Sequence, residues 1–338
     1  MIEFKKKLVT VRHFHNEGKP HRKLTNTQIA HVERLNQKIE KGSITFETIE
    51  CLCGCESFDI IASVDRYSIL QQTVICRKCG LVQSNPRMTE SDYRNFYESD
   101  EYRNIYENGS LKQYTQYKYE ENPGRKIHEK IVNHKPLSEI SDVLEIGAGG
   151  GWNLLTFFDH NISVLGLEYS PKLVSLGLER GINMIKGGIE ALAEDSKYDI
   201  IILNHVLEHL LDPVEDLRTM KNHLAENGLF YLAIPNIMHF SMGQIQNAHC
   251  YYFNPWNFEY YTSKAGLKLI DFGDSTSNHM YGIFSNEKSN CSPDYLLKSR
   301  KQIYKKIRAF NNQYRIIFFL KRIGLYSTLR NIKQITVK

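Results

Sequence analysis

The sequence predicts an α/β protein whose largest unit is a Rossmann-like, doubly wound and mostly parallel sheet, preceded by a small cysteine-rich β module and followed by a basic helical tail. Three observations carry this. From Ser141 onward short apolar runs alternate with helical periods, five cysteines fall within 29 residues upstream of that change, and no acidic side chain lies beyond Asp294. Strands that alternate with helices need crossovers, and crossovers cover both faces of a parallel sheet.

At 338 residues, 41% hydrophobic and 24% charged, the chain has enough apolar surface for a full core and a second, smaller unit. Its opening residues, "MIEFKKKLVTVRHFH", are basic but lack the apolar stretch of a secretory signal, and no run reaches the length of a membrane span. The expected location is therefore the cytoplasm. Residues 1–48 are polar and read as a loosely packed N-terminal extension, apart from a helix around "TNTQIAHVERLNQKIEKG" with Thr25 or Asn26 as cap and Gly42 as stop.

Residues 49–90 hold "CLCGC" and "CRKCG", each next to a predicted strand, "FDIIASV" and "QQTVIC". Cys-x2-Cys followed by glycine lets a tight turn aim two thiolates at one ion, and four thiolates in tetrahedral array make a closed structural zinc site. Cys51, Cys53, Cys76 and Cys79 are the expected zinc ligands, with Cys55 a bystander; unmetallated buried thiols are the alternative. In a reducing compartment a disulfide framework is the poorer reading. Residues 91–140 form a helical connector rich in tyrosine, suited either to interdomain packing or to a substrate surface, and end in an amphipathic helix near 123–133.

Within residues 141–290 strands are expected at "DVLEI", "SVLGLE", "INMIK", "DIIILN" and "LFYLAIP", with "LKLIDFG" and "HMYGIF" closing the sheet. The first strand runs into "GAGGGWNLL", where glycines bring backbone amides and a helix N-terminus against a ligand. The third glycine of a dinucleotide fingerprint is absent, because Asn153 stands there. Glu145, two residues before the first glycine, suits contact with an ammonium group.

"VLEIGAGGG", "VLGLEYSP", "YDIIILNHVLEHLLDP" and "LFYLAIPN", in that order between Ser141 and Gly273, resemble the class I S-adenosylmethionine-dependent methyltransferases. The resemblance implies that Glu145, Gly147, Gly149 and Gly151 cradle the methionine part of the cofactor and that Glu168 accepts hydrogen bonds from the ribose hydroxyls. Tyr169 and Asn204 join this implied set. Many members carry an acid in the loop after the third strand, where this chain has Gly188 in "KGGIEAL", so backbone at Gly188 and Ile189 is expected to meet the adenine. The preceding cysteine segment resembles the zinc-ribbon module of bacterial enzymes of glycan, O-antigen or capsule biosynthesis. That implies a sugar or glycan acceptor, nucleotide- or lipid-linked. The long C-terminal domain of the deoxysugar C-methyltransferases is missing, which favours O-methylation over C-methylation. Small-metabolite or quinone-type O-methylation and a non-catalytic cofactor-binding module are the other readings.

"HVLEH" matches a metalloprotease pattern formally, but it follows a strand at the cofactor end of the sheet instead of lying within a helix. His205, Glu208 and His209 would project from one face of a helical turn. By the same resemblance this face is a candidate Mg²⁺ or Mn²⁺ site, with His249 as a further ligand. General base, metal ligand and structural roles all stand for His205, His209 and His249. A neutral histidine suits removal of a poorly acidic hydroxyl proton.

The net charge of +5 hides an asymmetry: residues 1–296 hold 31 basic against 38 acidic side chains, whereas Leu297–Lys338 hold twelve basic and no acidic ones. An acidic body argues against a nucleic-acid partner. Within the basic tail, residues 291–338, the stretch Ile316–Leu320 is apolar but too short to span a bilayer. It is expected either to lie at the inner membrane surface or to pack against the acidic body or a second subunit. Oligomeric state has no signature in the sequence.

Overall fold

A computed structural model describes residues 1–11, 14–15, 20–106, 111–289 and 291–325. The N-terminal part begins with β1 (Glu3–Lys7), followed by α1 (Asn26–Glu40), β2 (Phe46–Glu47), β3 (Ser57–Val64), β4 (Leu70–Cys76), β5 (Val82–Ser84) and β6 (Arg87–Met88). α1 starts where the sequence places it: the Thr25 hydroxyl accepts from the Gln28 amide while the Gln28 side chain accepts from the Thr25 amide, a reciprocal capping box. Gly42, at φ +70°, follows the helix end.

The expected loose extension is a correction. β1 pairs in parallel with β3, and Val9, Phe14, Val32 and Leu35 are buried. Gln28 Nε2 donates to the Ile105 carbonyl at 2.8 Å, and Lys38 pairs with Glu101 at 2.6 Å. The polar composition of this segment concealed a small set of apolar residues spaced to meet partners far along the chain.

The connector folds into α2 (Glu90–Glu98), α3 (Asp100–Tyr106), α4 (Leu111–Glu121) and α5 (Gly124–Val132). Then come β7 (Asp142–Ile146), α6 (Leu155–Asp159), β8 (Ser163–Glu168), α7 (Pro171–Leu178), β9 (Asn183–Lys186), β10 (Tyr198–Asn204), α8 (Pro213–Lys221), β11 (Leu224–Pro235), β12 (Tyr251–Tyr252), α9 (Pro255–Lys264), β13 (Lys268–Thr276) and β14 (His279–Ser285). The seven-stranded sheet has the order β13-β14-β11-β10-β7-β8-β9, parallel except at β14, which pairs antiparallel with β11 and β13. Every strand expected from residue 141 onward is present.

The order reverses at β7 and β10, whose neighbouring C-terminal ends open a crevice. In open α/β sheets ligands bind there. The five-stranded sheet β1-β3-β4-β5-β12 takes its last strand from beyond β11, and residues of both sheets, among them Cys76, Cys79, Leu144 and Phe230, share one apolar core. The cysteine-rich part and the large sheet are thereby packed as a unit.

The last element, α10 (Asp294–Arg322), packs back on the body through Leu296, Ser299, Ile303 and Ile307. It crosses the second cysteine knuckle at Gly80, where a Cβ would stand 2.5 Å from the Arg300 Cα, and Gly80 also takes φ +75°. Only glycine meets both conditions. Residues 326–338 of the expected basic tail lie outside the described residues.

Candidate functional site

The glycine loop after β7 turns back on itself. Gly147, Gly149 and Gly151 all take φ between +57° and +77°, and the Gly147 and Ala148 amides both donate to the Leu167 carbonyl of β8 at 2.9 Å. A Cβ at Gly147 would stand 2.6 Å from Val206 Cγ2, so the loop tolerates no side chain on that flank. From the connector, the Tyr119 hydroxyl donates to the Gly150 carbonyl at 2.5 Å and to the Leu176 carbonyl at 3.2 Å, and Arg180 stacks on its ring. α4 therefore closes over the loop, a role for the tyrosine-rich connector that its sequence did not reveal.

Below the loop, Glu145 is fully buried. Asn153 Nδ2 donates to its Oε1 at 2.5 Å, whereas Oε2 and the Asn153 Oδ1 have no protein partner. Burial, with the Glu168 charge adding to it, pushes the Glu145 carboxyl up to about 8. Buried acceptors without donors are costly, and an ammonium group set against Oε2 would relieve that cost. Glu168, at the end of β8, accepts from the Gly149 amide at 3.1 Å and the Ser170 amide at 2.8 Å, so its carboxylate is locked beside the loop. The cradle fits the amino-acid and ribose parts of S-adenosylmethionine.

The loop after β9 departs from expectation. The Gly188 amide is taken up by Glu190 Oε1 at 2.9 Å, and the Tyr169 hydroxyl donates to the same oxygen at 3.1 Å. The acid absent at position 188 is thus supplied two residues later, folded back over the glycine. Ile189 opens the 3-10 turn that makes this possible, and Tyr169 is half exposed above it. Asn204 ends β10 on the same crevice, partly buried.

Past Asn204, the His205 backbone takes φ +62°, rare for a residue with a side chain, and its amide bonds the Ala233 carbonyl at 2.8 Å. A 3-10 turn at Leu207–His209 follows. Glu208 is buried, and its Oε1 is 3.4 Å from His205 Nδ1 and 4.0 Å from both His209 Nε2 and His249 Nε2. Neither Glu208 oxygen has a hydrogen-bond partner among the described residues; burial raises the carboxyl, but the neighbouring His205 and His209 outweigh it and leave the group below its ordinary range.

His209 Nδ1 lies 2.8 Å from the Ala248 carbonyl and 2.6 Å from the Tyr97 hydroxyl of α2. A carbonyl can only accept, so Nδ1 carries the proton and Nε2 is left bare toward Glu208. Burial lowers the His209 imidazole despite Glu208, and burial with the nearby His209 charge holds His249 well below its ordinary value. Both are neutral bases at neutral pH. Glu208, His209 and His249 have ligand atoms within 4.8 Å of one another, a group that could hold a metal ion. The expected face of His205, Glu208 and His209 is corrected to this extent: His249 replaces His205 in the compact group, and His205 turns to stack edge-on against His279 at 4.6 Å. His279 and Tyr97 were not singled out in the sequence, where neither sits in a recognisable motif.

The second metal candidate is the cysteine quartet. Cys51, Cys53, Cys76 and Cys79 converge within 4.8 Å, while the Cys55 thiol turns away to the Ser57 carbonyl. The Lys78 and Cys79 amides both donate to Cys76 Sγ at 3.4 Å, and Tyr261 of α9 donates to Cys79 Sγ at 3.5 Å. Within the quartet thiol hydrogen bonds lower Cys76 while burial raises Cys51, so the four thiols share their protons unevenly. The donor set fits zinc.

The sheet order and the glycine loop give a Rossmann-like methyltransferase fold, and residues 114–271 match the family described as a methyltransferase domain. Among curated relatives, the ubiquinone biosynthesis O-methyltransferase of Nitrosospira multiformis is 29% identical over 103 residues, 28% of this chain and 43% of that protein. The enzyme of the same name from Rickettsia felis is 24% identical over 116 residues, 32% of this chain and 48% of its own. The chain thus spans less than half the length of these relatives. Of solved structures, an S-adenosylmethionine-dependent methyltransferase from Clostridium acetobutylicum aligns over 49% of this chain and 92% of its own, at 14% identity and a TM-score of 0.41.

Proposed function

We propose that this chain transfers a methyl group to a hydroxyl oxygen, with His209 as the general base. The observation that carries the proposal is the orientation of His209: Nδ1–H is held by Ala248, Nε2 is unprotonated and faces the crevice acid Glu208, and burial keeps the ring neutral. Bound S-adenosylmethionine would supply an activated methyl on sulfur, so the protein has only to align the acceptor and remove its proton. Glu145 would receive the cofactor ammonium, Glu168 the ribose, and Glu190 with Tyr169 the adenine edge. His209 Nε2 would take the hydroxyl proton, and Glu208 beside it would stabilise the imidazolium that forms.

The acceptor is a ring-bearing alcohol. Half-buried Tyr97 packs edge-on against His209 at 6.0 Å, and Tyr102 and Tyr106 follow it with ring centroids 4.6 Å and 5.0 Å apart in sequence order, a run of rings on which a flat ring face can rest. A sugar or glycan intermediate suits these rings and the resemblance of the cysteine module to glycan-modifying enzymes. A phenolic ring is the second reading, favoured by the likeness to ubiquinone biosynthesis O-methyltransferases. Four thiols holding one structural zinc belong to the same proposal; a divalent ion at Glu208, His209 and His249 is the alternative to the base, since it would occupy His209 Nε2 and acidify the acceptor hydroxyl itself. Turnover with methyl-labelled cofactor against nucleotide sugars, polyprenyl-linked sugars and catechols tests it. Label in an ether product supports the reading. Label only on carbon or nitrogen, or cofactor binding with no transfer to any of them, overturns it.

A further inference from the structure

The first half of α10 is held to the body as far as Asn311. Tyr304 donates to Asp59 at 3.0 Å, Phe310 meets Phe14 and Phe240 edge to face at 5.6 Å and 5.0 Å, and the Thr10 amide donates to Asn311 Oδ1 at 3.0 Å. Beyond that point the helix continues outward. Ile316, Phe318 and Phe319 are 59–61% exposed, and Ile323 and Leu325 nearly half exposed. Nine Lys and Arg lie between Lys298 and Arg322, and no acid follows Asp294.

The pattern of this exposed end restricts what can cover it. Ile316, Phe319 and Ile323 lie three and four apart on one exposed face with Phe318 beside it, while Ile317 and Leu320 are half-buried. A protein groove and a bilayer boundary both receive such a face, and the cations around it, with no acid after Asp294, favour the anionic bilayer. A second copy of the same end would bring Arg315, Lys321 and Arg322 against their own kind, with no acid on either tail to offset them. RNA would answer the cations but not the apolar face between them.

We propose that the projecting end of α10 docks on an anionic membrane surface. Lying along the surface, that face would bury its apolar side chains to the roughly 5–10 Å depth of interfacial helices. Arg315 before the face and Arg322 after it reach the headgroup layer, as long basic side chains do at a bilayer boundary. No helix among the described residues is long and apolar enough to cross a membrane, so the contact is peripheral. The anchored half of α10 transmits it to the body through Ser299, whose hydroxyl accepts from Asn254 Nδ2 at 2.9 Å at the start of α9. The enzyme would thus be held where lipid-linked acceptors lie.

Co-sedimentation of the full chain with vesicles of phosphatidylglycerol and phosphatidylcholine, against phosphatidylcholine alone, tests the docking. Binding to the anionic vesicles should be at least about tenfold stronger and should weaken with salt. Phe318→Ser/Phe319→Ser and Lys321→Glu/Arg322→Glu should each lower it about tenfold while S-adenosylmethionine affinity stays unchanged, which shows that the variants fold. Equal binding to both vesicle types, or anionic binding untouched by the phenylalanine pair, overturns the proposal. So does a dimer in solution that the phenylalanine pair abolishes without any vesicle binding, or binding of homopolymer RNA in its place.

Discussion

Tyr97 and His209, 112 residues apart in sequence, meet at 2.6 Å between hydroxyl and Nδ1, and the same hydroxyl donates to the Ala248 carbonyl at 3.2 Å. Because Nδ1–H is the donor, Tyr97 accepts from it and Ala248 accepts from both. The triangle fixes the ring plane of His209 and points Nε2 away from α2.

Removing one corner should leave His209 in place but less well held. Tyr97→Phe should lower kcat about tenfold, the loss of one hydrogen bond of ordinary net strength, with KM for cofactor unchanged. It should also shift the acid limb of the pH–rate profile to lower pH, since the imidazolium loses an acceptor. His209→Ala should cost about a hundredfold or more. A Tyr97→Phe enzyme with an unmoved pH profile would reduce the contact to packing.

Glu145 makes cofactor binding pH-sensitive. Its carboxyl is raised above the ordinary value to about 8, chiefly by burial, so the folded, cofactor-free protein holds a proton there that the unfolded chain releases near 4.5. That contribution to stability is full below about pH 4.5 and is lost as pH rises toward 8. A bound ammonium reverses the preference by favouring the carboxylate, so cofactor binding releases a proton. Affinity for S-adenosylmethionine should therefore rise between about pH 5.5 and pH 7, where the cofactor's own amine stays charged. Calorimetry in buffers of different ionisation heat should detect the released proton in the native protein and not in Glu145→Gln. Glu168→Ala should weaken binding by about 1–3 kcal/mol at any pH in this range.

The cysteine quartet predicts about one zinc per chain. Cys76→Ser or Cys79→Ser should lose that ion and lower the melting temperature, because the knuckle lies between α10 at Gly80 and Tyr261 of α9. Cys55→Ser should retain both, since its thiol points to Ser57 instead of the cluster. A metal-free protein of normal stability would refute the site.

The strands from β7 to β14, the glycine loop and the two knuckles were legible in the sequence because each rests on local chemistry: period, turn residues and ligand spacing. β1 and β12 were not. Their pairing partners lie about fifty and well over a hundred residues away, and a two-residue strand such as Tyr251–Tyr252 has no period to read. The same limit applies within the site. Glu145, Glu168 and the histidines sit in motifs, whereas Tyr97, Tyr119 and Glu190 act through contacts that only folding creates. Glu190 is instructive: the position next to Gly187 lacks an acid, yet the carboxylate arrives by a 3-10 turn from two residues on.

The choice between base and metal ligand at the Glu208, His209 and His249 cluster can be made by experiment. Two imidazole nitrogens and one carboxylate oxygen form a donor set that prefers Mn²⁺, Co²⁺ or Zn²⁺ to the all-oxygen shell sought by Mg²⁺. His209 also has the outer contact expected of a metal-bound imidazole, its far N–H held by a backbone carbonyl. If an ion binds there, treatment with a chelator under conditions that leave the cysteine-bound ion in place should abolish turnover, and Mn²⁺ should restore it better than Mg²⁺. Co²⁺ added to the chelated protein should give a visible absorption band in the native chain and in Cys55→Ser, and none in His249→Ala. Turnover indifferent to chelator, with no cobalt band, would leave His209 as an unassisted base and His249 as the neutral wall that keeps it so. Full activity in both His209→Ala and His249→Ala would remove the cluster from the chemistry altogether.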